Sequence, residues 1–340
     1  MIRRFVMAAA LAAWVLVPIP AAAQPQPVQA ALDWLRTQQQ PDGGFSNGFV
    51  PGSDPGATAD ALLAIASAGE DPTQWTVEGS DPLDALRVAL EGGAVAGAGS
   101  FAKVALAVQA AGLDVHSFGG ADLTQAILAD YNPGAGLFGG GTYDSALAIQ
   151  ALLAAGVALP DGAIDGLLAT RLPDGAFAFN GDTTPGTGDS NTTAMVVLAL
   201  TAAGERDATA ASLEYFRTSQ NDDGGWTYQK PSAFGEATDA NSTALVIQAL
   251  AAAGEDPAAW SDPASALLSL QQPSGAFAFN AATPGDNLLA TVQAIPALAS
   301  PAELAPQGGL GSIPLTGLLG LGLVLVALLA AAALRRRPAA

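Results

Sequence analysis

Two kinds of apolar pattern alternate along the middle of the chain. In the first, Val28, Ala31, Leu32 and Leu35 recur at i, i+3, i+4 and i+7, with Gln29, Asp33 and Arg36 on the opposite side. That spacing predicts a helix with one buried and one wet face. Thr209, Ser212, Leu213 and Phe216 keep the same positions. In the second pattern, Thr193-Ala-Met-Val-Val-Leu-Ala-Leu200 and Thr243-Ala-Leu-Val-Ile-Gln-Ala-Leu250 are apolar nearly all round. A helix without a polar face has to be enclosed by protein.

These helices belong to a repeat. Leu32-Asp-Trp-Leu-Arg-Thr-Gln-Gln-Gln-Pro-Asp-Gly-Gly-Phe45 returns without a gap as Leu213-Glu-Tyr-Phe-Arg-Thr-Ser-Gln-Asn-Asp-Asp-Gly-Gly-Trp226. Pro173-Asp-Gly-Ala-Phe-Ala-Phe-Asn180 returns as Pro273-Ser-Gly-Ala-Phe-Ala-Phe-Asn280. A third series ends in glycine at Gly69, Gly112, Gly156, Gly204 and Gly254, and a sixth copy ends less cleanly near Leu298. Six nearly equal units of one half-exposed and one buried helix predict two concentric layers. Without distinct caps at either end, closure into a ring is expected over an open solenoid. The expected fold is all-α, an (α/α)6 toroid over residues 24–299 with its inner helices parallel.

The ends read differently. Arg3 and Arg4, an apolar run from Phe5 to Val17, then Pro18, Pro20 and Ala21-Ala22-Ala23 follow the order of a secretory signal peptide, with cleavage expected after Ala23. Residues 300–312 read as a linker. Leu318 to Leu334 is a seventeen-residue apolar stretch ahead of Arg335, Arg336 and Arg337. It predicts a C-terminal transmembrane helix with the basic tail inside and the body outside the cytoplasm. Within the terminal segment 313–340, Ile313-Pro314-Leu315-Thr316-Gly317 resembles the Leu-Pro-x-Thr-Gly sorting signal of Gram-positive cell-wall proteins. The resemblance implies cleavage between Thr316 and Gly317 and attachment to the wall; a simple membrane anchor is the alternative.

Charge removes whole classes of partner. The net charge is -19, and five of the twelve Lys and Arg lie at the two ends, leaving seven to face all thirty-one acids in between. Such a body repels nucleic acid and anionic surfaces. With no cysteine and one histidine, His116, neither a thiolate nucleophile nor a typical zinc set is available, and no metal or cofactor is expected.

Gln40-Pro-Asp-Gly-Gly-Phe45 and Gln220-Asn-Asp-Asp-Gly-Gly-Trp226 resemble the Gln-Trp repeats of squalene and oxidosqualene cyclases, whose toroid also serves prenyltransferase β-subunits, complement-like proteins and cobalamin carriers. The resemblance spans residues 28–299 and speaks for architecture more than activity. It gives Asp42, Gly43, Phe45, Asp223, Gly224 and Trp226 structural roles: a tight reversal, a ring that fills a gap, and an Asp or Gln that satisfies helix-end groups. The cyclases' Asp-x-Asp-Asp-Thr-Ala motif falls on Asp189-Ser-Asn-Thr-Thr-Ala194 and Asp239-Ala-Asn-Ser-Thr-Ala244, which puts the proton donor on Asn191 or Asn241. An amide cannot deliver that proton.

Asp54, Asp144, Asp189, Asp239 and Asp286 each fall near the start of an inner helix. Parallel inner helices would gather them at one mouth, where helix capping accounts for most of them. The candidate ligand site is Tyr143, Asp144, Asp189, Asn191, Asp239 and Asn241. Phe179, Tyr228 and Phe279 are expected mainly as core residues, with lining of the mouth as the other role. The function expected from these features is a surface-anchored, non-catalytic module that holds a small molecule or a surface protein at the mouth. The alternative is an extracytoplasmic enzyme acting on an isoprenoid or a glycan through the mouth carboxylates.

Overall fold

The computed structural model describes residues 26–299 apart from 50, 234, 257 and 258. The signal peptide, the linker, the sorting motif with Thr316 and Gly317, and the apolar span lie outside the described residues. Among the described residues, no helix is long and apolar enough to cross a membrane.

Among the described residues, twelve α-helices alternate between two rings. The inner ring is α2 (Pro55–Ser67), α4 (Ala98–Ala110), α6 (Thr142–Ala154), α8 (Ser190–Ala203), α10 (Ala240–Ala253) and α12 (Leu288–Leu298). Each packs against the next, and α12 packs against α2, so the ring closes. The outer ring is α1 (Gln26–Arg36), α3 (Pro82–Glu91), α5 (Leu123–Leu128), α7 (Ala163–Ala169), α9 (Ala210–Ser219) and α11 (Pro263–Leu268). Helices α3, α5, α7, α9 and α11 each lean on the inner helix that precedes them, and α1 takes the corresponding place on α12. The one sheet among the described residues is a hairpin of β1 (Tyr131–Asn132) and β2 (Leu137–Phe138).

The apolar patterns account for this layering. Val28, Ala31, Leu32 and Leu35 of α1 are fully buried against the inner ring. In α9 the match is looser: Tyr215 and Phe216 are buried while Leu213 stays half-buried. Helix α8 buries eleven of its fourteen residues, as an apolar circumference requires. The glycine series stops these helices: Gly69, Gly112, Gly156, Gly204 and Gly254 all take positive φ, the left-handed terminator that glycine adopts without a Cβ penalty.

One clasp recurs where outer helix turns to inner helix. Phe45, Phe138, Phe177, Trp226 and Phe277 are fully buried. Their backbone amides donate to the hydroxyls of Thr58, Ser145, Thr193, Thr243 and Thr291, at 2.9–3.0 Å. Four of their carbonyls accept in return from the amides of Asp54, Asp189, Asp239 and Asn287. A neutral bond of this kind is worth about 1 kcal/mol, and it ties the turn to the first turn of the inner helix. The α4 unit lacks it: Val95 stands near the aromatic's place, and the Ala98 amide donates to Asp130 instead.

Two expectations about the turn change. Asp42 and Asp223 do not reach a helix end; each accepts from an amide two residues on and from a loop hydroxyl, Ser53 or Thr238. The expected helix-end role of the motif's glutamine is replaced as well: the turn is closed by glutamines donating to main-chain carbonyls, Gln39 to Gly43 O, Gln220 to Gly224 O and Gln271 to Gly275 O.

The second use of glycine is steric. Gly43, Gly175, Gly224 and Gly275 have φ between 86° and 95°. A Cβ on any of them would overlap main chain at the start of the next outer helix, at Asp81, Ala211, Ser261 and Ala30 respectively. The last of these is the seam. There Gln271 Nε2 also donates to Pro27 O at 2.8 Å, and Trp34 Nε1 to Asp286 at 2.9 Å.

The seam predicts an asymmetry between two left-handed glycines. Gly275→Ala adds a clash with the Ala30 carbonyl to the backbone strain and is expected to cost about 3 kcal/mol or more. Gly204→Ala meets open space and should cost about 1 kcal/mol. Urea denaturation of the two variants measures the difference; equal losses would show that the Gly275 contact does not hold the ring shut.

Candidate functional site at the barrel mouth

Main-chain bonds fix the mouth. The carbonyls of Phe179, Tyr228 and Phe279 accept from the amides of Tyr143, Ser190 and Ala240, at 3.2, 2.8 and 2.8 Å. Each of these aromatics follows a buried one by two residues, and its loop reaches back to the N-terminus of the preceding inner helix. The N-termini of α6, α8 and α10 therefore share one end of the barrel. The aromatics are not core residues: Phe179, Tyr228 and Phe279 are 55%, 45% and 39% exposed. Phe179 lies over Tyr143 with ring centroids 5.2 Å apart. The collar covers only one arc, since the residues in the same place in the first and third units are Asn47 and Gly140.

Inside the collar is a cavity of about 390 Å³, whose wall includes Tyr143, Asn191, Asp239, Asn241, Leu245 and Gln293. Four of the six sequence-predicted site residues thus meet in one wall. Asp144 and Asp189 do not. Asp144 accepts from the Gly140 amide and lies against Gly99 of α4. Asp189 is 1% exposed beneath the α8 N-terminus. The wider set of acids also disperses: Asp54 caps α2, and Asp286 is held by Trp34 and Ser274. Below the mouth, a smaller void of about 90 Å³ shares Lys103, Tyr143, Leu245 and Gln293 with the first and continues between leucines.

Lys103 and Asp60 stand at this waist, joined by a 3.0 Å ion pair. Neither belongs to a motif in the sequence. Their signal is a single charge within an otherwise apolar inner helix, which can face only the lumen. Burial works against the Lys103 ammonium, yet the charge of Asp60, with smaller contributions from Tyr143 and Asp54, outweighs it and raises the pKa. The lumen therefore keeps a cation, and that cation is matched.

The two capping acids are likewise committed. Asp189 accepts from the Thr192 amide and hydroxyl at 2.7 and 2.8 Å. Asp239 does the same with Ser242. Burial pushes the Asp189 carboxyl up to about 6, against the pull of those bonds and of Tyr228. Asp239 is raised for the same first cause. Asn191 and Asn241 present amides where an acid would be needed. Asn241 Nδ2 donates to Gln293 Oε1 at 2.8 Å, and Asn191 Oδ1 is buried without a partner among the described residues. His116 sits in an exposed loop beside Asp122, away from this wall. Among the described residues no group of three His, Asp or Glu side chains converges as a metal shell.

Asp189 carries a pH signature. Its native pKa lies above the ordinary 3.8, so between about pH 4 and 6 the native state holds a proton that the unfolded state has lost, and this residue's contribution to stability falls as pH rises. Asp189→Asn keeps a capping oxygen, as Asn287 does on α12, and removes the ionisation. Relative to the natural chain, the variant is expected to gain about 1–3 kcal/mol between pH 4 and pH 7. Paired urea denaturations at the two pH values give the number; a stability difference between variant and natural chain that does not grow from pH 4 to pH 7 contradicts the assignment.

No protein-family model and no curated protein matches the chain. Among solved structures, type II terpene cyclase MstE from Scytonema superposes at a TM-score of 0.59 with 15% identity, covering 82% of this chain and 98% of that one. An unsaturated glucuronyl hydrolase specific for heparin gives 0.61 and 11%, over 82% and 96%. Haptocorrin in complex with Cbi gives 0.53 and 14%, over 80% and 65%. The chain shares the α/α toroid fold of these proteins, and identities this low establish the fold alone.

Proposed function

We propose that this chain is an extracytoplasmic ligand-holding barrel, tethered by its C-terminal segment to membrane or cell wall, that binds a small molecule at the mouth without converting it. The observation that carries the reading is the mouth cavity: it is large enough for a drug-sized ligand, its wall combines aromatic rings and amides with leucines, and both capping carboxylates beside it are occupied by helix bonds. Haptocorrin, named above in complex with Cbi, is a ligand-bound protein of the same fold. Export and anchoring rest on the terminal segments of the sequence.

A second reading has its own observation. Asp239 is part of the cavity wall with a raised pKa, and raised carboxyls in a cleft are candidates for acid–base work. Two of the structural relatives are named as a terpene cyclase and a glucuronyl hydrolase. Under this reading the chain is an enzyme on an isoprenoid or a glycan.

Native mass spectrometry of the purified full chain separates the two readings. A holding barrel is expected to retain a small molecule of unchanged mass, to lose it in Leu245→Trp, which fills the cavity, and to keep it in Asp239→Asn. Conversion of the retained molecule that disappears in Asp239→Asn would replace the first reading with the second. A clean apo mass with every extract tested would sink both.

A further inference from the structure

The mouth also constrains the chemistry of what it holds, on the ligand-holding reading above. Its formal charges are balanced locally. Asp189 and Asp239 face the amide-rich N-termini of α8 and α10, where a carboxylate offsets the positive end of the helix dipole. Lys103 is matched by Asp60. Nothing in the wall is left to recognise a charged group.

What is left is directional and neutral. Asn241 Nδ2 gives one hydrogen to Gln293 Oε1, which leaves Asn241 Oδ1 as an acceptor and Gln293 Nε2 as a donor on two neighbouring residues of the wall. A neighbouring pair of hydroxyls on one ring satisfies both, because each hydroxyl donates and accepts. A polyprenyl chain satisfies neither and would leave two polar groups desolvated, which costs binding. On the collar, Phe179, Tyr228 and Phe279 offer ring surface about half exposed to solvent. A pyranose has the matching two sides: a C–H face that lies on an aromatic ring and a rim of hydroxyls.

We infer that the ligand of the mouth is an uncharged saccharide, with a sugar ring on the aromatic collar and adjacent hydroxyls on the Asn241–Gln293 pair.

The test is isothermal titration of the full chain with neutral hexasaccharides: β-1,4-glucose, β-1,4-N-acetylglucosamine, α-1,4-glucose and α-1,6-mannose. Farnesol and adenosine serve as comparison ligands. At least one hexasaccharide is expected to bind, with a Kd unchanged between 50 and 500 mM NaCl, as the absence of ion pairing requires. Phe279→Ala and Gln293→Met should each weaken it about tenfold. The melting temperature of Phe279→Ala should stay unchanged, since that ring is 39% exposed. Binding of farnesol or adenosine with no hexasaccharide bound overturns the inference and leaves the holding function standing. Saccharide binding that falls steeply with salt, or that ignores both substitutions, overturns the placement at this wall. No binding by any of the six overturns the inference, and the native mass measurement then decides whether the holding function falls with it.

Discussion

Four of the six joints of this ring are made where a left-handed glycine lies flat against main chain: Gly43 on Asp81, Gly175 on Ala211, Gly224 on Ser261, Gly275 on Ala30. The approach leaves no room for a side chain, so the distance between units is set by backbone rather than by packing atoms that could rearrange. Around that fixed point the rest is arranged. The clasp from aromatic amide to Thr or Ser hydroxyl orients the turn on its own inner helix, and the glutamine four residues before the glycine closes the turn from within. The same geometry at most of the joints, the seam among them, is what lets six units come round to their start.

A closed ring of inner helices encloses a lumen that alanine and leucine do not fill. What enters it is decided by the few residues on the inner helices that are not aliphatic. Lys103 and Asp60 neutralise one another at the waist, and the capping carboxylates spend both oxygens on their own helices. The mouth that results is polar in hydrogen-bonding terms and nearly featureless in charge, although the chain as a whole carries -19. The acidity belongs to the outside of the molecule and to helix ends, and the cavity is insulated from it.

Most of the architecture was legible because it repeats. A period of 3.6 with one wet face marked α1, an apolar circumference marked α8 and α10, and the terminating glycines gave the length of each unit. The site was legible only in part. Tyr143, Asn191, Asp239 and Asn241 came together because each stands in the first turn of an inner helix or, for Asp239, at its cap. Asp144, one residue beyond Tyr143, points at Gly99 instead, since helical residues one apart face directions about 100° apart. Phe179, Tyr228 and Phe279 look like core residues in sequence, because each sits two residues from a true core aromatic. Only the bond from their carbonyls to the previous helix carries them out to the rim.

The place of α1 behind α12 also says something about time. Val28, Ala31, Leu32 and Leu35 share one core cluster with Leu267, Leu270, Phe277 and the apolar face of α12, as well as with Phe45, Ile65 and Trp75. During synthesis the first helix of the ring can meet Phe45, Ile65 and Trp75 early, but its seam with α12 cannot form until the last helix exists. Local pairs such as α3 on α2 can form early, but closure joins the two extremes of the sequence and has to come last, at the entropic cost of the longest loop in the molecule. The ring is thus an assembly whose first helix meets its last partner late, and its full cooperativity is held back until α12 is in place.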